Sequence, residues 1–196
     1  ITGKPEDVVL ANTAAGQKIF ILDNSEAMVA NLVAEGGSRI NAYNTDFGGN
    51  IRIDAAGGVV SNCVIRNASC TSRYPRGIGI YLDSEAALVT QCVITNNYTS
   101  GRYDNELYGI GVHIKNGTIE NSLVADNYSN NITESESLRE YISTGGIYIE
   151  NGAVINCTVV RNKGHQNGGI YATENAFIVN TVAVGNELTG PTDVVT

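Results

Sequence analysis

Charge is scarce in this chain of 196 residues: 16% of it is Asp, Glu, Lys or Arg, and only 12 basic residues stand against 20 acidic ones. A formal net charge of −8 with no basic stripe excludes a nucleic-acid partner, which needs cations to release counterions from phosphates. The same imbalance argues against adsorption to an anionic membrane. No apolar run is long enough to cross a bilayer, so no membrane insertion is expected, and no signal peptide is visible. With two histidines and no Cys/His cluster, a transition-metal site has no support. A Gly-rich phosphate loop with its Lys is also absent, and no segment keeps a helical period.

Glycine is plentiful instead, with 22 copies, and much of it marks a repeat. The clearest copy runs Gly145-Gly146-Ile147-Tyr148-Ile149 through Ala153-Val154-Ile155-Asn156-Cys157-Thr158-Val159-Val160-Arg161-Asn162. It recurs over Gly168 to Asn186, Gly109 to Asn127, Gly77 to Asn96 and Gly48 to Asn67, with a fainter copy from Phe20 to Leu32. One amide residue per copy forms a series: Asn31, Asn62, Gln91, Asn121, Asn156 and Asn180. Subtracting consecutive positions gives intervals of 31, 29, 30, 35 and 24 residues. A period in this range is the signature of a solenoid.

Within each copy the apolar residues alternate, as in Ile147 and Ile149, Ile80 and Leu82, Val112 and Ile114, or Ile51 and Ile53. That is the pattern of a strand with one buried face. The extra residues enter between the last Asn of one copy and the Gly of the next, so a single turn absorbs every insertion. The expected fold is therefore all-β: one domain over residues 1–196, a parallel β-solenoid of about six coils with three short strands each. In the clearest copy those strands are Ile147 to Ile149, a second around Ala153 to Ile155, and Cys157 to Val160. Asn156 is placed, buried, in the bend between the last two, because Asn tolerates left-handed backbone angles and stacked amides bond one another. Residues 1–19 read as an incomplete first coil, in which Val8 to Asn12 match the third strand, and residues 188–196 as an exit linker. An opening on Ile1 without Met fits a processed protein or a fragment, with further coils of a longer chain as neighbours. The Asn-x-Ser/Thr sequences at Asn67, Asn97, Asn116, Asn127, Asn131 and Asn156 read as turn chemistry and not as glycan acceptors.

Cys63, Cys92 and Cys157 each follow the repeated amide directly. Equivalent positions in successive coils predict an interior stack of free thiols, since stacked parallel side chains suit a disulfide poorly. Cys70, expected in a loop, is the thiol left to pair or react.

These coils resemble the right-handed parallel β-helix of the pectate-lyase-like superfamily. More closely, they look like the Gly-Gly-Ile-Tyr … Asn-Cys-Thr-Val … Asn coils of large bacterial secreted and cell-surface β-helix proteins. The resemblance covers residues 8–190 and rests on residues that build the coil. It implies right-handed winding and a secreted or cell-surface location in a bacterium.

Between the inward pairs of the first strand sit Arg52, Tyr81, His113, Tyr148 and Tyr171, which stack into one outward column at about 4.8 Å per coil. In the superfamily this face is the floor of a polysaccharide groove, walled by the turns after the third strand. Here those turns bring Tyr74, Tyr98, Tyr103, Tyr108, Tyr128 and Tyr141. The candidate ligand-binding residues are thus Arg52, Tyr81, His113, Tyr148, Tyr171, Tyr103, Tyr108 and Tyr141, with a polysaccharide or cell-surface glycan as partner. Aromatic faces stack on pyranose rings while their polar tips meet hydroxyls. The plainer alternative is that Tyr simply covers an exposed strand.

A second column holds Asp54, Asp83, Lys115, Glu150 and Thr173. It is either a surface charge ladder or a catalytic centre. In the second case Asp54 and Asp83 would bind calcium or act as an acid/base pair, with Arg52 and His113 beside them. Lyases of the superfamily generally use several acidic calcium ligands with an Arg or Lys base, and its hydrolases clustered aspartates near a His. Neither motif is complete here; Gly164-His165-Gln166 only partly resembles the hydrolases' Gly-His-Gly. The expected function is a non-catalytic secreted or surface module that binds glycan or serves as an adhesive or structural spacer. The alternative is a polysaccharide lyase or glycoside hydrolase acting on an acidic polysaccharide. Residues 128–144 form the longest insertion, with a short helix expected over Glu134 to Tyr141 and a cap at Ser135. This loop and Asn97 to Tyr108 are expected to touch any ligand.

Overall fold

A computed structural model describes residues 4–39, 45–72, 74–99, 107–129 and 143–188. Among them the chain is all-β, apart from one 3-10 turn at Pro5–Asp7. Its strands pair in parallel and gather into stacked sheets. An eight-stranded first sheet follows the path Phe20–Leu22, Ile51–Ile53, Ile80–Thr90, Val112–Glu120, Ile147–Ile155, Ile170–Val179, with Met28–Ala30 and Gly58–Ser61 alongside. The seven-stranded second sheet runs from Val9–Ala11 through Val33–Glu35, Val64–Arg66, Val93–Thr95, Leu123–Ala125 and Thr158–Val160 to Val182–Val184. Six two-residue strands, from Ser38–Arg39 to Glu187–Leu188, form the third. Thr45–Phe47 pairs with Tyr74–Arg76, and isolated bridges continue that line from Arg76 to Tyr108, Leu107 to Ser143 and Thr144 to Asn167. Successive repeats visit the sheets in the same order, and Ile51, Ile80, Val112, Ile147 and Ile170 lie in register.

Two details differ from the sequence reading. The first two strands of a repeat merge into one long strand from Ile80 onward, with register shifts after Leu82 and Ile149 that do not end the ladder. The third sheet was not expected at all; its strands are too short to show any period.

The alternating aliphatics fill the interior. Ile51, Ile53, Ile80, Leu82, Val112, Ile114, Ile147 and Ile149 are fully buried in one cluster with Val60, Ile65, Ile94, Val124 and Val159. At the corner between first and second sheets, Asn31, Asn62, Gln91, Asn121, Asn156 and Asn180 adopt φ of 48° to 58°. Their side chains are not interior, however. Gln91, Asn121, Asn156 and Asn180 are exposed, which corrects the buried placement of Asn156. Two bonds run along this series, Asn62 Nδ2 to Asn31 Oδ1 at 2.7 Å and Asn156 Nδ2 to Asn121 Oδ1 at 3.3 Å.

The buried amide ladder stands one corner later. Asn97, Asn127 and Asn162 are fully buried, and their Nδ2 groups donate to the Oδ1 of Asn127, Asn162 and Asn186 at 2.9, 2.9 and 3.0 Å. Each Oδ1 also accepts the backbone N–H of the preceding rung, as Asn127 does from Asn97 at 3.1 Å. At the rung where Ala68 lacks an amide, Asn50 reaches in from the neighbouring turn. Its Oδ1 accepts Gly37 N–H at 2.7 Å and its Nδ2 donates to the Arg66 carbonyl at 2.9 Å.

Cys63, Cys92 and Cys157 are free and buried in one column with Leu32, Ser122 and Thr181. Each thiol points at the carbonyl two residues back, at 3.2, 3.2 and 3.3 Å, and Ser122 Oγ donates to its own at 2.7 Å. Hydrogen bonding to Cys63 and burial push the Cys92 thiol up, and burial pushes Cys157 up, so these two stay neutral. Because Ser122 already fills this slot, Cys157→Ser should change stability by less than about 1 kcal/mol in a denaturant melt; a larger loss would mean that sulfur packing holds the column. Cys70 is not a loop thiol. It lies in the strand Ser69–Cys70, buried with Ala68, Ile78, Leu107 and Ile110 in a second apolar cluster.

Candidate functional site

The outward column owes its surroundings to three glycines. Gly48, Gly77 and Gly109 hold φ of 63°, 59° and 63° at the start of successive repeats, and a Cβ on any of them would strike the carbonyl oxygen three residues on. Only glycine fits this turn. The tight reversal lays the preceding residue, Phe47, Arg76 or Tyr108, over the outward side chains of the first sheet. Phe47 meets Tyr81 with ring centroids 4.6 Å apart, and Tyr108 meets Tyr148 at the same separation. The Arg76 guanidinium lies 4.5 Å from the Tyr108 ring centre and 5.8 Å from that of Phe47.

Tyr81, His113 and Tyr148 therefore do point away from the core, yet they are only 1%, 0% and 6% exposed. This corrects the open aromatic floor. The rings pack edge to face, Tyr81 with His113 and His113 with Tyr148, each pair at 5.1 Å. Arg52 at one end is half-buried and ion-paired with Asp54, and Tyr171 at the other is 36% exposed and stacked on Tyr148 at 5.2 Å. Tyr108 belongs to the cover and not to a groove wall. Tyr103, Tyr141, the expected helix over Glu134 to Tyr141 and residues 189–196 lie outside the described residues. Leu188, placed in the exit linker, belongs to a third-sheet strand, and the aromatic pair Tyr98–Tyr128, stacked at 5.6 Å, sits on that same sheet with both rings half-exposed.

The second column is a set of closed pairs. Lys115 Nζ lies 2.8 Å from Asp83 Oδ1, and Asn116 Nδ2 donates to the same carboxylate at 3.4 Å. His113 Nε2 is 2.8 Å from Glu150 Oε1, and Arg76 Nη1 is 3.6 Å from that oxygen. The hydrogen bond to His113 holds the Glu150 carboxyl below its usual value. Burial pushes His113 down, so the imidazole is neutral at pH 7, and burial pushes the Tyr81 phenol up. Asp54 and Asp83 thus face cations already in the chain instead of sharing a vacant site. No three His, Cys, Asp or Glu come together as metal ligands among the described residues.

Three side-chain atoms of this outer layer are buried without a partner: His113 Nδ1, Arg76 Nε and Thr144 Oγ1. Sequence reasoning missed the roles of Phe47, Arg76 and Thr144. The available signal was their position, each directly before the first Gly of a repeat. What the arrangement does chemically is hold paired charges and aromatic surface together beneath a cover.

No helix among the described residues is long and apolar enough to cross a membrane. No protein-family model, curated protein or solved structure matches the chain.

Proposed function

We propose that the chain winds as a single right-handed parallel β-helix, of the kind built by the pectate-lyase-like superfamily, and works without catalysis. Its role is that of a secreted or cell-surface module, an adhesive or structural spacer that meets polysaccharide along its outer faces. One observation carries this reading: the groups a lyase or hydrolase would use are spent on one another. Arg52 pairs with Asp54, Lys115 with Asp83, and His113 and Arg76 with Glu150. A lyase needs a free base beside bound calcium, and a hydrolase needs two carboxyl groups flanking an accessible bond.

Aromatic surface for a sugar is left at Tyr171 and at the half-exposed Tyr98–Tyr128 stack. Incubation with acidic oligosaccharides, with and without calcium, is expected to yield no unsaturated or shortened product by ultraviolet absorbance and mass spectrometry. Product formation abolished by Asp83→Asn would overturn the non-catalytic reading. On a glycan array, Tyr128→Ala and Tyr171→Ala should weaken whatever signal the unaltered chain gives. Equal signals would remove these rings and leave only the spacer role.

A further inference from the structure

We propose that His113 is an acid-sensitive catch for the cover formed by Phe47, Arg76 and Tyr108, which lifts when the imidazole takes up a proton and opens the column of Tyr81 and Tyr148 to water. The inference does not depend on the glycan reading. It starts from the one place a proton can go. His113 Nε2 already faces Glu150 Oε1 at 2.8 Å, so the second proton must sit on Nδ1. That atom is buried and has no partner. A protonated Nδ1 would be a buried charged donor with no acceptor, one of the costlier states for a side chain.

The groups that face the ring sharpen the conflict. From neighbouring elements these are Glu150 and Tyr148 on one side, Tyr81 and Asp83 on the other, and Arg76 with Tyr108 from the cover. Asp83 is committed to Lys115, which lies on the strand of His113 itself. Arg76 shares the Glu150 oxygen with His113, so protonation sets two cations on one carboxylate. Neutral imidazole is therefore the form that the closed cover requires. The sign follows: a histidine lowered in the folded state supports closure above its ordinary value of 6.5 and withdraws that support as pH falls through its lowered value.

The cover is the part able to respond. Its backbone is held by a two-stranded pairing, by Gly48 N–H to the Arg76 carbonyl at 2.9 Å, by Gly77 N–H to the Tyr108 carbonyl at 3.0 Å, and by Tyr108 N–H to the Pro75 carbonyl at 3.2 Å. Its side chains are held by the ring contacts and the Arg76–Glu150 pair that protonation disturbs. Its three residues are half-buried, whereas the sheet beneath is closed on both faces. Local opening draws on such weakly held segments. Lifting lets water reach Nδ1 and returns Arg76 to solvent, while the first sheet stays intact.

Hydrogen exchange of the full chain at about pH 7.5 and about pH 5, corrected for intrinsic rates, tests this. Gly77 and Tyr108 amides should lose about tenfold or more of their protection at the lower pH, with Ile94 and Val124 unchanged. In His113→Phe, whose ring suits the aromatic surroundings, the cover should stay equally protected at both values. Three outcomes overturn the proposal: constant protection in the unaltered chain, parallel loss in all sheets, or persistence of the loss in His113→Phe. Should that variant not fold, the imidazole titration of the unaltered chain, followed by nuclear magnetic resonance, decides. A midpoint more than about one pH unit from that of the exchange change rejects His113 as the catch.

Discussion

Gly109→Ala is expected to lower the stability of the chain by about 4 kcal/mol or more, well beyond a typical single substitution. Near 200 residues, that corresponds to a fall of about 10 °C in melting temperature. The backbone at Gly109 has φ of +63°, where a side chain is strained by about 1–3 kcal/mol. Strain alone would be modest. Space decides the matter: the added Cβ would lie 1.8 Å from the carbonyl oxygen of Val112 and 2.9 Å from the backbone nitrogen of Tyr148. Both neighbours are backbone in the first sheet, so neither yields without breaking a ladder.

Gly185 supplies the control. Its φ is also +63°, but a Cβ there meets nothing within 4 Å. At the equivalent corner four other repeats carry Asn67, Asn96, Asp126 and Arg161 with φ of 54° to 57°. Gly185→Asn should therefore stay within about 1 kcal/mol of the unaltered chain. Thermal melts followed by circular dichroism compare the two. Similar midpoints would show that the turn at Gly109 can relax, and that the cover does not depend on it.

Asn127→Ala is expected to cost about 3–5 kcal/mol. The amide makes five bonds in a fully buried position. Its two Nδ2 hydrogens are shared among Asn162 Oδ1, Ile94 O and Ala125 O at 2.9, 3.0 and 3.1 Å, and its Oδ1 accepts from the side chain and backbone of Asn97 at 2.9 and 3.1 Å. Truncation takes the acceptor from the Asn97 backbone N–H and from one Asn97 Nδ2 hydrogen, and a donor from the Ile94 carbonyl, while Asn162 Oδ1 keeps the Asn127 backbone N–H. Each buried group left unsatisfied costs about 1–3 kcal/mol. Asn156→Gly on the other amide series should change stability by less than about 1 kcal/mol: Asn156 is exposed, its bond to Asn121 is 3.3 Å long, and glycine accepts its φ of 51°. Denaturant melts that rank the two in reverse order would overturn the assignment of the buried ladder.

The alternation of Ile80 and Leu82, or Val112 and Ile114, was enough to read the strands and the interior, because period two reports which side of a sheet a residue takes. It was also enough to place Tyr81, His113 and Tyr148 on the opposite side. It could not tell that this side is covered. Cover comes from Phe47, Arg76 and Tyr108, which precede their glycines and belong to no periodic run. The recurring Asn31, Asn62 and Asn121 marked a real corner through their left-handed backbone. They drew attention away from Asn97, Asn127 and Asn162, which stand beside equally regular left-handed residues at Asn96, Asp126 and Arg161. Two asparagine series with one period look alike in sequence; only burial separates them. Tyr98 and Tyr128 were read as loop residues for a similar reason, since a strand of two residues has no pattern to recognise.

The last repeat exposes Ile178 by 45%, while Val154, its partner one layer back, is fully buried; Ala183 is likewise exposed where its partner Val159 is buried. Layers that touch only their neighbours lose stability in sequence along the stack, not all at once. The first described layer is worn in the same way, with Val9 and Leu10 47% and 41% exposed over buried Val33 and Ala34, so opening starts at either outer layer of the described stack and reaches the layer of Ile114 last.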